Sequence, residues 1–334
     1  MDNVKKAKNI PVAAPAEPLR IVFMGTPDFA AASLRALHGF AAEAGAAIVG
    51  VFTREDKPAG RGHKLTPPPV KVLAEELGIP VFQPRTLRCA ESLECLRSLA
   101  PNLIVVTAYG RILPPEVLEL PAYGCINVHG SLLPEYRGAA PMQRAIIDGK
   151  SFTGITTMYM NEGIDTGDML RTCRVDIGPE DDFGTVHDRM AEAGGELLVA
   201  TLSELCRGTL TRTPQPEEGA TYAAKIEKED CIIDFTRPAA ALHDLVRGCS
   251  PAPLAVTHTA DGRLLKVAAS RVGENAGGAP GEVTSLDVHG EGGITVACGE
   301  GSLILTRIVP EGKGKMSAAE FIRGRKISLG DRLN

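Results

Sequence analysis

From Leu19 onward the chain repeats one pattern: a short run rich in Val and Ile, then a segment long enough for a helix. "LRIVFMG" leads into "DFAAASLRALHGFAAEAG", and "AAIVGVFT" is followed after a loop by "PPVKVLAEELG". "ESLECLRSLA" precedes "NLIVVTAYG", and "GCINVHG" precedes "AAPMQRAIIDG". Apolar runs of strand length alternating with helical patterns predict βαβ units, and hence an α/β domain over residues 19–208 with a doubly wound, mostly parallel sheet. Residues 182–208 read as its last helix, with Val186, Met190, Leu197, Leu198 and Leu202 apolar and Gly194-Gly195 expected to interrupt it.

The texture then changes. Residues 209–222 are rich in Pro, Thr and Gly without periodicity, the composition of a linker. Residues 223–334 carry short strand-like runs between glycine turns: "CIIDF", "LLKVAASRV", "GEVTSLD" and the hairpin "GITVACGEGSLILTRIV". Such spacing predicts a small β-barrel of OB-like type. Residues 1–18 are polar and Ala/Pro-rich, without the apolar stretch of a secretory signal, and read as a disordered tail.

A length of 334 residues suits about two domains, and 44% hydrophobic with 23% charged residues is ordinary for a globular protein. No apolar run approaches the 18 or so residues of a membrane span, so no membrane partner is expected. The net charge of −5 opposes wholesale attraction to nucleic acid; DNA is not expected as a partner, and any RNA contact must come from a local basic cluster. The eight cysteines form no CxxC pair and no Cys/His metal spacing, so no metal is implied. Cys125, Cys231 and Cys298 lie in apolar runs, as reduced thiols do, which points to the cytoplasm.

Two places carry chemistry. The turn "GTPDF" stands where a dinucleotide fold would put its phosphate-binding glycines. Gly25 is alone there, so neither GxGxxG nor GxxxxGK[ST] is met and the turn reads as structural. In "GCINVHGSLLPEYRGAAP", Asn127 and His129 are two residues apart, so they share one face at the end of a strand. Ligands in open α/β sheets sit at such carboxyl ends. An amide can donate to a developing oxyanion, and an imidazole moves protons near its reference pKa of about 6.5. Asp165, in "MNEGIDTGDML", is a carboxylate able to orient the ring and favour its charged form. No good nucleophile accompanies them, because Ser131 precedes Leu-Leu-Pro and is not in a nucleophile elbow. The grouping fits a reaction whose substrate brings its own nucleophile.

"INVHGSLLPEYRGAAP" together with "GITTMYMNEGIDTGDML" resembles the signature of the folate-dependent formyltransferases. The resemblance implies a Rossmann-like catalytic domain in which Asn127, His129 and Asp165 carry a formyl group from 10-formyltetrahydrofolate to an amine. It also implies a folate pocket beside Ile112 and Leu113, shaped by Ser131, Leu132, Leu133 and Pro134, with Asn161 and Gly163 opposite. "GTPDFAAASL", "TAYGRILPPEVL", "TYAAKIEKEDCIIDF" and "GKGKMSAAEFI" are similar to the branch whose acceptor is methionyl initiator tRNA. A sugar-nucleotide acceptor, hydrolysis to formate, or a binding protein without turnover are the competing readings.

The stretch "TREDKPAGRGHKLTPPP" holds Arg54, Lys57, Arg61 and Lys64 among Gly and Pro. Alone it reads as a solvated surface loop; the resemblance makes it a tRNA-binding loop with Arg61 at the matching arginine. From Thr221 onward 14 basic residues balance 14 acidic ones, and Lys313 and Lys315 begin the best local basic cluster. "VRGCSPAPLAV" departs from the family, whose members commonly carry an Asn-Pro-Trp-Pro-like segment there; this chain has no Trp.

Overall fold

The computed structural model describes residues 14–59, 64–290 and 292–334. It divides into two compact units, and the division is not linear: 139–153 and 176–186 group with 223–334, and the remainder forms the N-terminal unit.

The N-terminal unit is built on a seven-stranded sheet. Its strands are β1 (Arg20–Gly25), β2 (Ala47–Phe52), β5 (Val81–Phe82), β6 (Leu103–Thr107), β7 (Cys125–His129), β9 (Phe152–Tyr159) and β10 (Met169–Asp176). The order is β10-β9-β7-β6-β1-β2-β5. β7, β6, β1, β2 and β5 run parallel, while β9 pairs with β7 antiparallel. From β1 the chain winds outward through β2 to β5, then returns to β6 on the other side of β1. The carboxyl ends at this reversal form the crevice where doubly wound sheets bind ligands. β1, β6 and β7 are apolar almost throughout because helices cover the sheet.

The helices of this unit are α1 (Asp28–Ala44), α2 (Pro69–Glu76), α3 (Ala90–Ser98), the single turn α4 (Pro115–Leu118) and, largely, α6 (Phe183–Arg207). α1 buries Phe29, Ala30, Ser33, Leu34, Leu37, Phe40 and Ala41, one face at helical spacing, and ends where Gly45 turns left-handed. Gly25 packs closely in the first turn. A Cβ there would lie 2.7 Å from the Ala30 methyl and from the Phe23 ring.

Two expectations fail. α6 runs unbroken through Gly194-Gly195. A Cβ at Gly195 would stand 3.0 Å from the Ala36 methyl, and one at Gly194 3.3 Å from Val128, so the pair lets α6 lie close on α1 and the sheet. "CIIDF" is not a regular strand: after a 3₁₀ turn at Glu229–Cys231 it makes one isolated bridge, Ile232 to Val256. The Asp234 side chain, accepting from the Thr236 N–H and hydroxyl, then turns the chain away. The basic segment forms an antiparallel ribbon of β3 (Lys57–Ala59) and β4 (Lys64–Thr66). Between β7 and β9 lie β8 (Arg137–Gly138) and α5 (Pro141–Ile147), and β11 (Tyr222–Ala223) follows α6.

The C-terminal unit, where a small OB-like β-barrel is expected, is built on an antiparallel sheet. Its strands are β12 (Ala255–His258), β13 (Leu264–Gly273), β14 (Val283–Asp287), β15 (Gly293–Ala297), β16 (Ser302–Pro310) and β17 (Met316–Ser317). The order is β12-β13-β16-β15-β14, with β17 on β16. The last residues join the two edges. Asp331 and Leu333 exchange backbone bonds with Val283 and Gly281 at the head of β14, and Asn334 pairs with His258 at the end of β12. Leu333 thereby enters a core with Leu265, Ile294, Leu305 and Phe321. α7 (Ala239–Cys249) contributes Leu242, Leu245 and Val246 to the same core. α8 (Ala318–Arg323) begins with a capping box between Ser317 and Glu320.

Candidate active site

β7 carries Asn127 and His129 on one face to its carboxyl end, both nearly buried. The turn after β9 presents Asp165, held in the left-handed region at φ 52°. Its Oδ2 lies 3.5 Å from His129 Nδ1 and accepts a hydrogen bond from the Gly138 N–H at 2.8 Å. The other ring nitrogen, Nε2, is 3.0 Å from the Tyr136 carbonyl oxygen. Both nitrogens therefore face acceptors, and only the doubly protonated ring donates to both. Among the described residues the Asn127 carboxamide has no hydrogen-bond partner, so its N–H₂ is free to donate. Three residues from two distant parts of the sequence thus stand together as an amide donor beside an acid-coupled imidazole.

The flanking turns are tied down internally. Ser131 donates to the Glu135 carbonyl at 2.6 Å, its own carbonyl accepts from the Thr156 hydroxyl, and Leu133 N–H donates to that hydroxyl. Fully buried and so engaged, Ser131 is a turn residue. Leu132 packs where Gly154 leaves room. Leu133 is buried and Pro134 is partly exposed. Asn161 accepts from Gly163 N–H and the Thr166 hydroxyl. At Gly167 a Cβ would collide with the Tyr159 carbonyl. Ile112 projects into solvent at 73% exposure, whereas Leu113 is turned into the core with Val106, Tyr109 and Val117. Burial pushes the Tyr109 phenol up to about 12, and its hydroxyl has no partner among the described residues.

The basic candidates belong to separate segments of the sequence. Arg54 is half-buried, Lys57 is exposed on the ribbon, and Arg61 and the Lys64 side chain lie outside the described residues. Lys313 and Lys315 are exposed in the turn between β16 and β17 of the C-terminal unit. Sequence reasoning misses Tyr136, Gly138, Gln215 and Thr221. The first two lie inside the quoted motif but act through backbone atoms; the other two lie in the stretch that reads as a linker. Among the described residues no group of three or more His, Cys, Asp or Glu could hold a metal, and no helix is long and apolar enough to cross a membrane.

A mostly parallel sheet thus carries the amide and imidazole at the end of β7 and the carboxylate in the turn after β9. The family model for formyl transferase matches residues 19–202, and that for the formyl transferase C-terminal domain matches 225–326. The chain belongs to the formyl transferase family. It is 50% identical over 317 residues to the methionyl-tRNA formyltransferase of Symbiobacterium thermophilum, covering 95% of each chain. To that of Myxococcus xanthus it is 49% identical over 311 residues, covering 93% of this chain and 96% of the other. Among solved structures, an N-formyltransferase from Helicobacter canadensis in complex with folinic acid and dTDP-3-aminofucose superposes with a TM-score of 0.58 at 16% identity, over 86% of this chain and 98% of that one. HypX from Aquifex aeolicus, in complex with tetrahydrofolic acid, gives 0.61 at 19% identity over 92% of this chain, which spans 47% of HypX. These two likenesses are of fold alone.

Proposed function

We propose that this chain transfers the formyl group of 10-formyltetrahydrofolate to the α-amino group of methionine on initiator tRNA, in the cytoplasm. The observation that carries the reading is the unpartnered Asn127 carboxamide beside the His129–Asp165 pair. Whole-length similarity to methionyl-tRNA formyltransferases selects the acceptor. A site with a free amide donor, a proton-holding pair and a serine locked into its own turn fits a reaction in which an incoming amine attacks.

When bound, 10-formyltetrahydrofolate supplies an activated formyl group. Asn127 Nδ2–H donates to the formyl oxygen as negative charge develops there, from a water-poor site where such a bond counts most. Asp165 holds the His129 ring beside the developing oxyanion, and the proton shed by the amine passes to the departing nitrogen directly or through water. An α-amino group with a pKa of about 8 keeps a usable neutral fraction at neutral pH, so no strong base is required. Ile112 offers apolar contact to the folate, with Leu113 anchoring its turn. The Ser131–Pro134 and Asn161–Gly163 turns shape the walls. Arg54, Lys57, Arg61, Lys64, Lys313 and Lys315 meet tRNA phosphates.

The test is formylation of methionine-charged initiator tRNA by the purified protein, read by acid-gel mobility, with Asn127→Ala as control. Loss of one oxyanion donor should lower the rate about 10²- to 10³-fold. Near-normal turnover in the variant would remove Asn127 from the mechanism. Formate without formylated tRNA would make the protein a hydrolase.

A further inference from the structure

His129 is held between two acceptors, and both sit on non-glycine residues with positive φ: Tyr136 at 58° and Asp165 at 52°. Such conformations persist only where their surroundings hold them. One stretch holds both. Thr221 grips the Tyr136 turn at three points: its Oγ1 accepts from Tyr136 N–H at 2.8 Å, its carbonyl from Arg137 N–H at 2.8 Å, and its N–H donates to the Pro134 carbonyl at 3.3 Å. Gln215 grips the other turn. Its Nε2 donates to the carbonyls of Asp165 at 2.8 Å and Gly167 at 2.7 Å, while its Oε1 accepts from Arg137 Nε at 3.0 Å. Arg137 is buried, so the direction of the Gln215 amide is set: oxygen to the guanidinium, both N–H bonds to the turn. Thr213 pairs with Met169 and fixes the start of the stretch beside β10.

We infer that residues 213–221 are a positioning strap for the catalytic imidazole, in which Gln215 sets Asp165 against Nδ1 and Thr221 sets the Tyr136 carbonyl against Nε2. Neither residue touches the reacting atoms; both act through His129. The inference rests on the proposed role of His129, and it explains why a segment of linker composition is hydrogen-bonded at both ends to one site.

The experiment compares Gln215→Glu, Gln215→Met, Thr221→Val and Thr221→Ser in the full chain, with two readouts. The first is ¹⁵N NMR of the His129 ring, assigned with His129→Gln, which reports tautomer and environment whether or not the protein turns over. The second is kcat and KM for formyl transfer. Gln215→Glu is the discriminating variant. It keeps an acceptor for Arg137 but cannot donate to the Asp165 and Gly167 carbonyls, so a residue present only to satisfy the buried guanidinium would tolerate it. The strap predicts that Gln215→Glu and Gln215→Met shift or broaden the His129 ring signals. It also predicts a kcat lowered roughly 10- to 100-fold with KM nearly unchanged, the size expected for misplacing a catalytic group by up to about 1 Å. Thr221→Val should disturb the Nε2 signal, and Thr221→Ser, which keeps the accepting oxygen, should restore it. Wild-type ring signals in Gln215→Glu and Thr221→Val overturn the inference. Failure of the unsubstituted protein to transfer formyl groups would instead defeat the proposed reaction, leaving the ring signals to decide the strap.

Discussion

Asp165→Asn isolates one physical quantity at the site. A single oxygen, Oδ2, both accepts the Gly138 N–H and faces His129 Nδ1, and an asparagine keeps an oxygen in that place. Asparagine also tolerates the left-handed backbone that residue 165 adopts. The Nε2–H bond to the Tyr136 carbonyl is kept, because it does not involve Asp165. What disappears is the negative charge. At 3.5 Å and an effective dielectric of about 20, its attraction for an imidazolium is worth at most about 5 kcal/mol. Side-chain exposure of 6% and 16% leaves some solvent screening, so the usable part is smaller. A loss of roughly 3–4 kcal/mol of transition-state stabilisation, about 10²- to 10³-fold in rate, is expected.

The assay is single-turnover formyl transfer at saturating substrates, with thermal melting of each variant. Asp165→Asn should melt near the wild-type temperature. Asp165→Ala should be slower still and less stable, since Gly138 N–H loses its acceptor and alanine resists positive φ. A rate for Asp165→Asn within threefold of wild type, with Asp165→Ala impaired only in stability, would reduce Asp165 to a turn residue and refute the electrostatic role.

Leu333→Ala should destabilise the C-terminal unit by about 2–5 kcal/mol, because a buried leucine leaves a cavity where the last strand-like segment joins β12 to β14; urea unfolding measures it. Burial raises the Tyr109 phenol from about 10 to about 12, so the unfolded chain releases this proton first. The resulting stability is complete below pH 10 and is lost as pH rises through 12, a total of about 3 kcal/mol that Tyr109→Phe should abolish in denaturation midpoints at pH 9 and 11.5. Arg61→Ala and Lys57→Ala should each weaken tRNA use and lower the slope of log affinity against log salt by about one, read in a salt titration; an unchanged slope in both removes the ribbon from the RNA interface.

Much of the fold is legible in the order of the chain, because β-branched runs and helical faces report burial directly. The misses come where a local signal competes with packing. Two adjacent glycines cost a helix about 2 kcal/mol relative to alanine, which is reason to expect a break. In α6 that cost is offset because a Cβ at either position would crowd Ala36 or Val128, and hydrogen lets the helix pack closely there. "CIIDF" carries the alternation of a strand, and Cys231, Ile233 and Phe235 are indeed buried on one side. Its neighbour β12 is only four residues long, and the Asp234–Thr236 turn ends the pairing after one bridge.

The site shows the same division at finer scale. Asn127 and His129 can be read because period-two spacing puts two functional side chains on one face, and Asp165 because its motif resembles a known one. Tyr136 and Gly138 cannot, since they act through a carbonyl and an N–H that every non-proline residue possesses. Gln215 lies 50 residues from Asp165 in a stretch with no periodicity at all. Absence of periodicity reports that a segment has no face to bury; it does not report that the segment makes no contacts. Residues 213–221 contribute almost no core and are held by hydrogen bonds to backbone atoms, the one kind of interaction that leaves no mark on hydrophobic pattern. A linker and a strap of this kind therefore have the same composition, and what separates them is whether removing two amide hydrogens at Gln215 disturbs an imidazole it never touches.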